Sequence, residues 1–180
     1  MDEQGRAAPL LTTERLILRG WSKDDFKPWH AIMSDRRVHL HVGGQPMSEE
    51  DTWRRLCASV GMWSMVGFGG LAVELKDGGQ LIGNVGLFNA WRALEPAFGD
   101  EPEMGWIFAP EQHGKGLAGE ACRAVLKWAE QTLQPTPVWA IIAPENAPSL
   151  RLAERLGFAR VHETFYHDEP TVVLRRPDWS

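Results

Sequence analysis

The chain is poor in cysteine: its 180 residues hold two, Cys57 and Cys122, in separate predicted helices. No Cys-x-x-Cys pair or metal-ligand spacing occurs, so neither a disulfide framework nor a zinc site is expected, and no metal. Each cysteine is read as a small core residue rather than a nucleophile. No apolar run approaches the roughly 20 residues that cross a bilayer, which argues against a membrane partner. The opening Met1-Asp2-Glu3-Gln4-Gly5 lacks the basic-then-apolar pattern of a secretion signal, so a cytoplasmic protein is expected. Positive charge is also short, with 19 Lys and Arg against 24 Asp and Glu and a net charge of −5. Binding to a phosphate backbone needs concentrated Lys and Arg, so no nucleic acid is expected as a partner. No Ser-His-Asp spacing is present, and the single tyrosine, Tyr166, is read either as packing or as folding back into a cleft.

What remains is an ordinary globular composition, 43% hydrophobic and 24% charged. The length suits one domain, read as residues 11–180 behind a flexible tail over residues 1–10. Nine tryptophans are scattered without a repeat and are expected in core or cleft packing. Those in loops permit a monomer or a homodimer.

Hydrophobic periodicity divides the chain into recognisable elements. Thr13 to Arg19 alternates polar and apolar residues, a half-buried strand. A helix capped by Ser22 or Asp24 runs through Phe26, Trp29, Ile32 and Met33, and Arg36 to Pro46 reads as a loop. Ser48 followed by Asp51 predicts the start of a second helix, with Trp53, Leu56, Val60 and Trp63 on its apolar side and Gly69-Gly70 at its end. Two strands around Asp77-Gly78-Gly79 form a hairpin, and Glu103 to Phe108 is a third sheet strand. A long amphipathic helix from about Gly116 to Leu133 precedes the apolar strand Val138 to Ile142. A short helix from Ala147 to Leu156 stops at Gly157, and two strands, near Phe158 to Phe165 and Thr171 to Arg175, close the chain. The order β-α-α-β-β-β-α-β-α-β-β is that of an α/β sheet covered by helices on both faces.

Between the third strand and the long helix lies Gly114-Lys115-Gly116-Leu117-Ala118-Gly119. A turn there exposes unpaired N–H groups at the positive end of a helix dipole, a natural phosphate site. The letters match the dinucleotide fingerprint G-x-G-x-x-G, but Ala109 to His113 separate it from the strand, and three strands already precede it. A triphosphate P-loop fails because Gly116 follows Lys115 where Ser or Thr is required.

From about Leu11 to Gly157 the sequence resembles the GNAT superfamily of N-acetyltransferases, most closely the branch of ribosomal-protein N-terminal acetyltransferases. The residues that carry the resemblance are Thr13 to Arg19, Leu81 to Leu87, Glu103-Met104-Gly105-Trp106, Gly114 to Ala121, Asn146-Ala147-Pro148-Ser149 and Leu156-Gly157-Phe158. The resemblance implies a mixed, mostly antiparallel sheet with helices on both faces, splayed where acyl-CoA enters. It also implies acetyl-CoA as the acyl donor, and a primary amine, in a small molecule or at a protein N-terminus, as the acceptor. The family's pyrophosphate loop places Arg or Gln, two residues, Gly, one residue, then Gly or Ala; here those positions are His113, Gly116 and Ala118, with Gln112 one residue early. The donor-binding set expected from the resemblance is therefore Ile107, Phe108, His113, Gly114, Lys115, Gly116, Leu117, Ala118, Gly119 and Asn146, with a backbone N–H near Ile107 or Phe108 holding the thioester oxygen. His113 is read equally as a phosphate contact or a solvated side chain. A non-catalytic acyl-CoA-binding or sensor domain is the alternative class, and an oxidoreductase rests only on the glycine pattern.

Two residues are candidates for proton transfer. Glu103 shares a strand face with Gly105 and Ile107 and is the first choice for a base, direct or through water, with its carboxyl raised by desolvation. The other reading of Glu103 is a strand-edge glutamate in solvent or a salt bridge. Ser149 stands where the resemblance implies a group assisting the departing thiolate; many relatives place a Tyr instead at the position of Ala153. Its other reading is a first-turn residue satisfying backbone N–H groups. Asn146 fits both an N-cap and a pantetheine contact. His39, His41, Gln45, Glu49, Trp91 and Arg92 are possible acceptor-lining residues, or ordinary loop and surface groups.

Overall fold

The computed structural model describes residues 7–40 and 44–180, so His41 lies outside the described residues. Eight strands form one sheet in the order β1-β2-β3-β4-β5-β6-β8-β7. They are β1 (Leu11–Thr12), β2 (Leu16–Arg19), β3 (Gly70–Leu75), β4 (Leu81–Phe88), β5 (Glu103–Phe108), β6 (Val138–Ile142), β7 (Ala159–Tyr166) and β8 (Glu169–Arg176). Every neighbouring pair is antiparallel except β5 and β6. The helices are α1 (Phe26–Met33), α2 (Arg36–His39), α3 (Glu49–Val66), α4 (Leu117–Thr132) and α5 (Ala147–Arg155).

The helices cover both faces, as the periodicity implies. On one face α4 and α5 bury Leu117, Ala121, Val125, Leu150 and Leu156 against Leu18, Val73, Val85, Met104 and Phe108. On the other, Trp29, Ile32 and Met33 of α1 and Val38 of α2 pack on Ala72 and Leu81. Further along that face, Leu94 and Phe98 from the loop before β5 cover Trp139 and Val173, with Phe98 stacked on Trp139 at 4.5 Å.

Several local expectations are corrected. The first strand is broken: the Leu16 N–H bonds to Thr13 Oγ1, which folds Thr13 to Arg15 into a turn and lets β1 pair with β2. Inside the expected loop at Arg36, Asp35 accepts the Arg37 amide and starts the short helix α2. Ser48 caps α3 through the Asp51 amide as expected, but the helix buries Thr52, Leu56, Ser59 and Trp63 and leaves Trp53 and Val60 outside. Small polar residues set that face because Thr52 bonds back to the Ser48 carbonyl and meets the His30 ring. The same helix stops at Gly67, at φ +81°, leaving Gly70 to open β3. Cys122 is buried in the core, and burial pushes its thiol well above the ordinary range, whereas Cys57 lies on the surface. No helix among the described residues is long and apolar enough to cross a membrane.

Candidate active site

The site begins with a defect in the sheet. β5 and β6 pair only at Glu103 and Trp139, with the Trp139 amide bonded to the Pro102 carbonyl at 2.9 Å. Beyond that pair the strands diverge, opening a gap between parallel neighbours.

The ladder on the other side of β5 decides which backbone groups reach the gap. Ala109 donates to the Ile82 carbonyl at 2.8 Å, and the antiparallel register runs through Ile107 and Asn84. Groups alternate along such a ladder, so the N–H and C=O of Glu103, Gly105 and Ile107 turn towards β4. Those of Trp106 and Phe108 turn towards the gap. Of the two expected oxyanion donors, Phe108 is therefore directed into the opening, while the Ile107 amide faces Asn84.

The glycine turn stands at the far end of β5. Gly114 and Gly116 have φ of +74° and +77°, left-handed values that a side chain strains to adopt. Gly116 caps α4 without any side-chain bond, so the first amides of the helix, at Leu117, Ala118 and Gly119, keep open donors. The Leu117 side chain is buried in the core, and a Cβ on Gly119 would lie 3.3 Å from Leu152 of α5. Both residues can reach a ligand only through their backbone. His113 is exposed, and its Nε2 lies 3.0 Å from the Phe108 carbonyl. A carbonyl only accepts, so Nε2 carries the proton and Nδ1 is left to solvent. Lys115 Nζ bonds to Gln112 Oε1 at 3.0 Å. Beneath the turn, Arg15 donates Nη1 to the Lys115 carbonyl at 2.9 Å and Nε to Glu120 at 2.8 Å. Thr13 Oγ1 and the Arg15 amide also reach Glu120, at 2.6 and 2.9 Å. Burial pushes the Glu120 carboxyl up, but these bonds outweigh it and hold the group below its ordinary range.

A cleft of about 760 Å³ opens beside the gap, and Glu103, Ile107, Asn146 and Ser149 all border it. Asn146 Oδ1 accepts the Ser149 amide at 3.2 Å, the N-cap expected of it. Ser149 does not satisfy backbone groups; its Oγ accepts the Trp106 indole N–H at 3.3 Å, which leaves the hydroxyl proton free. Ala153 is wholly buried.

Glu103 is buried with its carboxylate held by Arg92, through Nη2 at 2.7 Å and through Nε. The salt-bridge reading is thus correct for the resting structure. Burial draws the Arg92 guanidinium down, but the ion pair and Tyr166 outweigh it, and the Tyr166 ring centroid lies 5.0 Å away. The lone tyrosine both packs against the Trp139 cluster and borders the cleft. Of the other acceptor candidates among the described residues, only Arg92 borders the cleft. His39 is buried elsewhere, Gln45 is exposed outside it, Glu49 pairs with Lys27 on the surface and Trp91 is 72% exposed. Arg55 and Trp106 border the cleft as well; Trp106 lies within the Glu103-Met104-Gly105-Trp106 segment, whereas nothing local in the sequence marks Arg55. No group of three or more His, Cys, Asp or Glu among the described residues is placed to hold a metal ion.

Residues 15–159 match the family model described as an acetyltransferase (GNAT) domain. The chain is 29% identical over 154 residues to the uncharacterized N-acetyltransferase YnaD of Bacillus subtilis (strain 168), covering 83% of this chain and 82% of the relative. It superposes on a GnaT-family acetyltransferase from Bordetella pertussis with a TM-score of 0.84 and 34% identity, over 93% of this chain and 99% of that one. The aminoglycoside acetyltransferase AAC(6')-Ib, solved in complex with coenzyme A, shares the fold at a TM-score of 0.73 and 19% identity, over 90% and 94% of the two chains.

Proposed function

This chain belongs to the GNAT acetyltransferase family and is an acetyl-CoA-dependent acyltransferase, and from that premise we propose that it delivers acetyl to a primary amine by direct attack in a ternary complex. The observation that carries the reading is the gap between β5 and β6, bounded by an uncapped helix N-terminus and by the Trp106–Ser149 contact. Acetyl-CoA supplies an activated thioester. The open amides of Gly114 to Gly119 suit its pyrophosphate, because they present donors at the positive end of the α4 dipole. The outward backbone groups of Trp106 and Phe108 suit the pantetheine arm, and the Phe108 amide suits the carbonyl oxygen. His113 covers the Phe108 carbonyl, so the arm must share or displace that bond.

Within the cleft, the new N–C bond forms as the thioester C–S bond breaks. Glu103 receives the amine proton, directly or through water; the Arg92 fork fixes the carboxylate while each oxygen keeps a lone pair for a donor. Ser149 turns its free hydroxyl proton towards the departing sulfur, its oxygen being oriented by Trp106. Asn146 holds the first turn of α5, and so Ser149, in place.

The test is steady-state release of CoA thiol over a panel of amines. Glu103→Gln should lower kcat by about 100-fold, the low end for general-base catalysis, with CoA affinity changed far less. Unchanged turnover and an unchanged pH–rate profile in that variant remove Glu103 from the chemistry.

A further inference from the structure

The acceptor wall contributed by α3 carries a charge that nothing in the chemistry above uses. Arg55, Ala58, Ser59 and Met62 follow the i, i+3, i+4, i+7 spacing of one helical face, and all border the cleft. Two guanidinium groups therefore face this space. Arg92 is held in an ion pair by Glu103, through Nε and Nη2, and stands over the Tyr166 ring. Arg55 makes no ion pair among the described residues, and its neighbour Arg92 is of the same sign. Arg55 is itself exposed to solvent; nearby protein and the repulsion of Arg92 pull its pKa down, yet a guanidinium stays charged at neutral pH.

Carboxylates border the same space: Glu145, on the loop leading to α5, and Glu169, at the start of β8 and in register with Tyr166, are exposed and make no ion pair among the described residues. Trp21, Trp29 and Phe88 add apolar surface to the same cleft. An unpaired guanidinium and, four residues before Ser149, the Glu145 carboxylate border one space, which matches a molecule with an anionic end and an amino end. The volume, about 760 Å³, is that of a small-molecule site.

Resting on the acetyl-transfer reading above, we propose that the acceptor is a small amine bearing a carboxylate, whose carboxylate pairs with Arg55 while its amino group points to the β5–β6 gap. The planar fork of Arg55 accepts a carboxylate through parallel N–H bonds, a geometry a lysine lacks. In the transfer, the amino nitrogen gains the acetyl carbon, the thioester C–S bond breaks, and the proton lost by nitrogen balances the one gained by the thiolate.

The experiment compares matched pairs on the full chain: amino acids against their amides, aminophosphonates against the corresponding acids, and polycationic amines. The acid should exceed its amide by roughly 10- to 100-fold in kcat/KM, the worth of one charge-assisted pair. Arg55→Gln should bring that ratio towards one, and Arg55→Lys should retain part of it. Amides or polycations used as well as acids, or an acid preference that survives Arg55→Gln, overturn the proposal. Equal or better use of the phosphonate overturns the carboxylate assignment. Failure to acetylate any amine while CoA still binds sinks the transfer reading itself, and this proposal with it, which distinguishes the two failures.

Discussion

The brace beneath the glycine turn gives a sharp prediction, because its bonds are few and their exposure differs. Glu120 is 14% exposed and receives Thr13 Oγ1, the Arg15 amide and the Arg15 guanidinium, while the Arg15 side chain is 46% exposed. Bonds to a charged group are worth about 1.5 kcal/mol each at the lower end, so the Thr13 and Arg15 amide bonds contribute about 3 kcal/mol. The half-exposed ion pair adds less than about 1 kcal/mol after solvent screening. Water recovers part of this in the variant, so Glu120→Ala should cost roughly 2–3 kcal/mol, a fall in Tm of about 4–12 °C for a chain of this size. Freed from Glu120, Arg15 no longer holds the Lys115 carbonyl rigidly, so KM for acetyl-CoA should rise several-fold while kcat changes little. Glu120→Gln keeps an acceptor for Thr13 and should lose about half as much stability. The folded-state carboxyl titrates below its ordinary value, so the charge-dependent stability is present at neutral pH and disappears as pH falls through that lowered value. The gap in Tm between wild type and Glu120→Gln should therefore narrow below about pH 4. A Glu120→Ala chain that melts within about 2 °C of wild type with an unchanged KM refutes the reasoning.

Two further outcomes follow from the same structure. Trp106→Phe removes the indole donor to Ser149 and should lower kcat by about 3- to 10-fold, the value of one neutral hydrogen bond, with no further loss when combined with Ser149→Ala; additive losses in kcat show the contact to be idle. Burial pushes the Asp25 carboxyl up, but the Arg19 fork and the Ser22 groups outweigh it and hold it low, so its contribution is present above the ordinary aspartate range and lost as pH falls. Asp25→Asn should lower urea stability at pH 7 and flatten its decline between about pH 5 and pH 2, and an unaltered acid limb rejects the assignment.

What the sequence made legible is what is encoded locally. The Asp77-Gly78-Gly79 hairpin, the Ser48 and Asn146 caps, Gly157 after α5 and the amphipathic stripe of α4 all depend on neighbours within a few positions. The glycine turn belongs to this class, since its open amides follow from glycines placed ahead of a helix. The acceptor side does not. Glu103 reads as a solitary carboxylate in an apolar strand until the loop before β5 returns Arg92 to it. The face of α3 turned inward is chosen by contacts with His30 and by the small residues Thr52 and Ser59, which no hydrophobic period reveals. Arg55 is one more charged residue on an acidic, basic and polar helix until β4, β5 and α1 give it a cleft to face.

β5 shows why the two halves of the site can evolve separately. Its side chains alternate between a core face, where Met104 and Phe108 lock onto α4, and a cleft face, where Glu103 meets Arg92. At right angles to these, its backbone groups alternate between the ladder to β4 and the open gap. In the function proposed above, donor recognition through the gap rests on amides, which no substitution removes except proline. The acceptor site proposed above rests instead on side chains of the cleft face and of α3, which substitution changes without removing those amides. Changing Arg55 should therefore alter which amine is used and leave the binding of CoA intact, whereas a shift in the register of β5 and β4 would disable both at once.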